Sequence, residues 1–207
     1  MRKNQQQKTP APFSEAPFDI IAIAASAGGL KALSAVLSEL KADLPVAIVV
    51  VQHLAPNHPS QMAEILTRRT PLEVKQATDR ECLKPGTVYI APPDRHLLVN
   101  PDRSLSLSQS EKVHFVRPSA EVLFESVASS YKNRAIAVVL TGADRDGTQG
   151  VRAIKNMGGV VIAQNKETSL VFGMPGAAID TGCVDFILPL QEIPGALTDL
   201  VFQGSLG

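Results

Sequence analysis

A doubly wound α/β fold, with a mostly parallel sheet and an inserted antiparallel hairpin, is what this sequence predicts. Three observations carry that prediction. From Phe18 onward, short apolar runs alternate with segments of helical periodicity. The runs are unbroken rather than alternating with polar residues, the mark of strands buried on both faces of a parallel sheet. Between residues 73 and 107 the rhythm gives way to short strand-like pieces separated by LKPG, PPD and NPD turn signals.

The elements follow in order. Residues 1–17 are polar and Pro-punctuated without periodicity, and are expected to be a disordered N-terminal arm; one domain is expected over 18–207. Ile20–Ala24 is a buried strand. Gly28 and Gly29 make a tight turn, and Leu30, Leu33, Val36, Leu37 and Leu40 then fall at helical spacing until Pro45 stops the pattern. Val46–Val51 is the second strand, so a βαβ unit separates Ser26 from His53 and both leave neighbouring parallel strands at one edge. Ser60 is placed to cap a helix running to Arg69, before Pro71. Glu73–Gln76, Thr87–Ala91, Leu97–Val99 and Ser104–Leu107 are the pieces from which an antiparallel hairpin is expected. Ser119 caps a helix to Tyr131, Ala135–Leu140 is a strand, and a loop with Asp146 leads to a helix ending at Met157. Val160–Gln164, a short helix over Pro175–Thr181 closed by Gly182, Val184–Leu188 and a helix over Leu190–Phe202 complete the sheet.

Composition narrows the function. The 207 residues suffice for one domain with a substantial core. Lys+Arg and Asp+Glu are both 20, which leaves no electrostatic footprint for nucleic acid or an anionic membrane. No apolar run approaches a membrane span, and the N-terminus lacks the apolar core of a signal peptide, so a cytoplasmic location is expected. Cys82 and Cys183 are isolated, which fits free thiols; no Cys/His cluster suggests a metal, and no cofactor motif stands out.

Three stretches carry chemistry: IAIAASAGG, VVVQHLAP and AVVLTGADRDGTQG. They bring a serine, a histidine and an aspartate to the carboxyl ends of three strands, the functional edge of such a sheet. Ser26 would be exposed there beside helical N–H groups able to stabilise an oxyanion; alone, it also reads as an N-cap or part of a phosphate cradle. The loop is not GxGxxG, and no acidic ribose partner follows the second strand, which argues against nucleotide binding. His53 is poorly placed to be a core residue and suited to take the serine proton. On spacing alone, Asp144 or Asp146 could orient the imidazole, and either could be a helix cap. His58, His96 and His114 receive bland loop or hairpin roles.

The chain resembles the catalytic domain of CheB-type chemoreceptor glutamate methylesterases over residues 18–203, through AASAGGLKAL, VVVQHLAPNH, TVYIAPPDRHLLV, VLTGADRDGTQGVRAIK and VIAQNKETSLVFGMPGAAI. The resemblance implies that Ser26 is the nucleophile, His53 the base and Asp146, rather than Asp144, the acid. It implies hydrolysis of glutamate γ-methyl esters on the cytoplasmic helices of chemoreceptors, releasing methanol, with deamidation of particular glutamines, in chemotaxis signal transduction. No metal or organic cofactor is implied. Backbone N–H groups near Ala27 and Gly28, with Ala143, are the oxyanion candidates; Arg95, Thr141, Gln164 and Met174 are candidates for lining the cleft. The chain departs from the family pattern at Ala24, where Gly is usual, at Ala27, often Thr, and at Ala143-Asp144-Arg145, usually a small, glycine-containing stretch. Many family members carry an N-terminal receiver domain, which 17 residues cannot contain. A catalytically silent binding module of the same fold is the competing reading.

Overall fold

The computed structural model describes residue 13 and residues 15–53 and 60–206. Among the described residues, nine strands and six α-helices follow in the order β1 (Ile20–Ala25), α1 (Gly29–Ser38), β2 (Ala47–Gln52), α2 (Met62–Thr67), β3 (Glu73–Gln76), β4 (Thr87–Ile90), β5 (His96–Val99) and β6 (Leu105–Ser108). Then come α3 (Ala120–Tyr131), β7 (Ala135–Val139), α4 (Thr148–Asn156), β8 (Val160–Gln164), α5 (Gly173–Ile179), β9 (Phe186–Leu188) and α6 (Ile193–Gln203). Seven strands form one sheet in the order β3-β4-β2-β1-β7-β8-β9, every pair parallel.

The two central strands explain why the apolar runs are unbroken. Alternate residues of β1 serve opposite faces: Ile21 and Ile23 join a core with Leu33, Val36 and Leu37 of α1 and Leu197, Leu200 and Val201 of α6. Ile20, Ala22 and Ala24 join a second core with Leu123, Phe124 and Val127 of α3 and Val151 and Ile154 of α4. The doubly wound architecture is therefore a property of the side-chain period in the strand. Strand order reverses about β1, whose neighbours are β2 on one side and β7 on the other. That reversal opens a crevice at the carboxyl ends of β1 and β7.

Residues 73–107 divide between two structures. Only β5 and β6 make the antiparallel hairpin, with Leu97 opposite Leu107 and Val99 opposite Leu105. Glu73–Gln76 and the strand beginning at Thr87 instead extend the main sheet in parallel, because all four residues of β4 are buried and need cover on both sides. Ser60 acts one residue ahead of the α2 cap, its Oγ accepting from Met62 N–H at 3.3 Å. Of the segment expected to be an arm, the described part touches the body. Phe13 N–H donates to Asp19 Oδ1 at 2.9 Å, and Arg103 lies 4.3 Å from the centre of the Phe13 ring. Residues 1–12 and 14, and His58 with its neighbours, lie outside the described residues.

Candidate active site

Backbone register builds the site. Ala25 of β1 pairs with Gln52 of β2, so Ser26 and His53 are the next residues out on adjacent strands, which run about 4.8 Å apart. His53 N–H donates to Ala25 O at 3.1 Å, and Ser26 N–H to Thr141 O at 2.9 Å, tying Ser26 to the segments on both sides. Gln52 Nε2 bridges Ser26 O and His53 O, at 2.7 and 3.1 Å. Gly28, at φ +81°, lets the chain turn into α1. The N–H groups of Ala27, Gly28 and Ala143 have no partner among the described residues, nor has the Ser26 hydroxyl. Ser26 opens into a cleft of about 410 Å³ whose wall includes Gly29, Lys31, Gln52 and Arg69.

The Asp146 side is built to the opposite standard. Asp146 Oδ2 accepts from His53 Nε2 at 2.9 Å and from Ala120 N–H at 2.5 Å. Its Oδ1 accepts from Ser119 Oγ at 2.7 Å and Glu121 N–H at 3.2 Å. The carboxylate thus sits on the first turn of α3, where unpaired N–H groups and the helix dipole favour negative charge. Ser119 is the N-cap of that helix, and its own N–H donates to His96 Nδ1 at 3.2 Å. His96 is fully buried, and its Nε2 donates to Glu111 O at 3.0 Å. Glu121 returns the favour to α4 by accepting from Gln149 and Gly150 N–H. Burial, with the charge of Asp146 adding to it, raises the pKa of Glu121.

With Asp146 on Nε2, Nδ1 is the ring nitrogen that Asp146 does not engage. A second carboxylate stands on it: Asp144 Oδ2 is 2.9 Å from Nδ1. Burial of the ring pulls the His53 pKa down, but the two carboxylates outweigh it and raise it to about 9. Asp144 is held low; burial opposes this, and His53 and the Asp146 N–H prevail.

A family model described as CheB methylesterase matches residues 21–197. This chain belongs to the CheB methylesterase family. It is 43% identical over 198 residues to the "protein-glutamate methylesterase/protein-glutamine glutaminase of group 3 operon" of Rhizobium meliloti, covering 96% of this chain and 56% of that protein. A Thermotoga maritima protein of the same activity name is 42% identical, with 88% of this chain and 54% of that protein covered. The chain spans little more than half the length of these two relatives. It covers 91% of a putative protein-glutamate methylesterase/protein-glutamine glutaminase of Leptospira interrogans, at 39% identity. The crystal structure of the Thermotoga maritima CheB methylesterase catalytic domain superposes with a TM-score of 0.86 at 41% identity, over 89% of this chain and 99% of that one.

The other positions singled out in this CheB-family chain have definite surroundings. Thr141 and Gln164 are fasteners: Thr141 Oγ1 donates to Ala27 O at 2.9 Å and accepts from Val171 N–H, and Gln164 Oε1 accepts from Thr141 N–H. Met174 is buried beneath Gly142, and its N–H donates to Gly142 O. Arg95 is exposed and lines a separate depression with Asp79, Pro92 and Leu107. Among the described residues, no group of three His, Cys, Asp or Glu side chains could hold a metal ion. No described helix is long and apolar enough to cross a membrane.

Some residues of the site went unread in the sequence. Gly142 is one: a Cβ there would lie 2.2 Å from Met174 Sδ and 2.9 Å from Ser26 Cβ. Gln52 is another, and its signal was available, a polar residue closing an otherwise apolar strand immediately before His53. Ser119 read only as a helix cap; its bond to Asp146 depends on a loop 27 residues away.

Proposed function

We propose that this chain is a serine hydrolase that removes methyl groups from glutamate γ-methyl esters on the cytoplasmic helices of chemoreceptor-type proteins, and deamidates glutamines in the same setting. The observation that carries the reading is a convergence on one sheet edge: Ser26 and His53 are the next residues out on adjacent strands, and Asp146 Oδ2 lies 2.9 Å from His53 Nε2. Family membership supports the same reaction, which the relatives' names state of those proteins.

In this mechanism Ser26 Oγ attacks the ester carbonyl as His53 Nδ1 takes its proton. The unpartnered N–H groups of Ala27 and Gly28, with Ala143, are the donors available to the oxyanion, and Ala27 offers no hydroxyl. Imidazolium, steadied by Asp146, protonates the leaving methoxide, methanol departs, and an acyl-enzyme remains on Ser26. Water then attacks, its proton passing to His53, and glutamate is released as Ser26 recovers its proton. A glutamine side chain follows the same path with ammonia leaving. The chain's own groups supply nucleophile, base and oxyanion donors.

The test is methanol release from methylated receptor membranes. The expected result is turnover by the wild type and its loss in Ser26→Ala with the fold intact. A folded wild type that binds receptor without releasing methanol would instead make the chain a silent binding module.

A further inference from the structure

We propose that Asp144 is a latch on His53: its carboxylate occupies the flank of Nδ1, the ring nitrogen Ser26 needs, and must swing away before the serine can hand over its proton. This rests on the reading of Ser26 as nucleophile and His53 as base.

The two carboxylates differ in how firmly they are held. Asp146 has a side chain with 0% exposure and accepts four hydrogen bonds, counting that from His53. Asp144 has 34% exposure, and its one hydrogen bond among the described residues is accepted at Oδ1 from Asp146 N–H at 3.0 Å. Its Oδ2 is the oxygen at Nδ1, so a rotation about the side chain frees Nδ1 at the cost of that one bond, leaving the four hydrogen bonds of the Asp146 carboxylate in place. Meanwhile Ser26 Oγ makes no hydrogen bond among the described residues, as expected where the base nitrogen is engaged elsewhere. Among the described residues, the charged groups facing His53 are Asp144 and Asp146. Glu121 of α3 stands behind Asp146, and His114, in the connection between β6 and α3, faces Asp144. These two charges bearing directly on the ring are both negative, which favours imidazolium while the latch is closed. With His53 titrating near 9, roughly 1% of the ring would be neutral base at pH 7. Asp144 thus acts as a positioning residue, through His53.

The experiment compares the wild type, Asp144→Asn and Asp144→Ala. Asparagine keeps the Oδ1 acceptor for Asp146 N–H and removes the charge; alanine removes both. The first readout is the His53 titration midpoint by NMR, assigned with His53→Gln. The second is the pH dependence of Ser26 phosphonylation by a fluorophosphonate, which needs no receptor. The expected result is a wild-type midpoint well above 6.5, lowered by about one unit or more in both variants. Labelling of Asp144→Asn should be about tenfold faster at pH 7 and equal to wild type above about pH 10. An unchanged midpoint, or slower labelling of Asp144→Asn at every pH, would overturn the latch. Failure to label Ser26 in any protein would instead remove the nucleophile assignment, while the His53 midpoint would still decide whether Asp144 governs the ring.

Discussion

The two sides of His53 are built to different standards. On the Asp146 side, each carboxylate oxygen has two donors, and the supporting Ser119 and His96 are themselves bonded and buried. On the Ser26 side, one hydroxyl and three backbone N–H groups have no partner among the described residues. Asp146 is buried, whereas Ser26, Ala27 and Gly28 are half-buried and Ala143 is exposed, so only the Asp146 side needs its partners from within the chain. The satisfied side fixes a geometry, and the unsatisfied side waits for atoms that are not part of the chain.

The contrast can be broken most severely at its anchor. Asp146→Asn should lower kcat by about 10³ to 10⁴-fold, because an amide cannot serve both the imidazole and the α3 donors and favours the wrong tautomer. Asp144→Asn should cause no such loss. The reverse ranking in steady-state kcat would make Asp144 the orienting acid and move the fixed side of the site to the exposed carboxylate.

Stability offers a gentler probe of the same asymmetry. The folded His53 pKa, about 9, lies above its ordinary 6.5, so the stabilisation it brings is fully present below pH 6.5 and disappears as pH rises through 9. The shift corresponds to at most about 3 kcal/mol, and screening at the partly exposed Asp144 reduces this to about 1–2 kcal/mol. Urea titrations between pH 6 and 10 should show that loss in the wild type and a smaller one in Asp144→Asn. Equal slopes for the two proteins would mean that Asp144 leaves the ring unaffected.

The smallest expected effect lies one shell further out. Ser119→Ala deletes a helix cap and a donor to Asp146, and should cost about 1–2 kcal/mol in denaturant unfolding. It should also reduce kcat, since Asp146 loses one of its restraints. A variant with wild-type stability and kcat would show that the two backbone N–H groups of α3 hold Asp146 by themselves.

How far the sequence reached follows from what is local. The strands of the central sheet were legible because burial on both faces leaves an unbroken apolar run, as in Val46–Val51. That the same edge collects Ser26 and His53 followed from one βαβ unit. The partners of β3 and β4 were not legible, since four-residue strands carry too little pattern to choose between parallel and antiparallel neighbours. Spacing does not separate the two carboxylates: Asp144 and Asp146 lie two residues apart, and both reach the imidazole. What separates them is the N-terminus of α3, a long-range contact invisible in the loop's own sequence. The support that His96 gives the site was not legible for the same reason: the sequence offers it only a bland hairpin role, and its bonds to Ser119 and Glu111 join segments far apart in the chain.

On the proposed mechanism Ser26 and His53 act as one unit, with His53 anchored by Asp146. A double-mutant cycle in kcat for methanol release tests it most directly, using Ser26→Ala, His53→Ala and the pair together. Each single change should cost on the order of 10⁴ to 10⁶-fold, and the double variant should be no slower than the worse single, because removing either member already disables the unit. Losses that multiply, with the double variant slower by the product of the two, would show that serine and histidine contribute independently and would contradict the account.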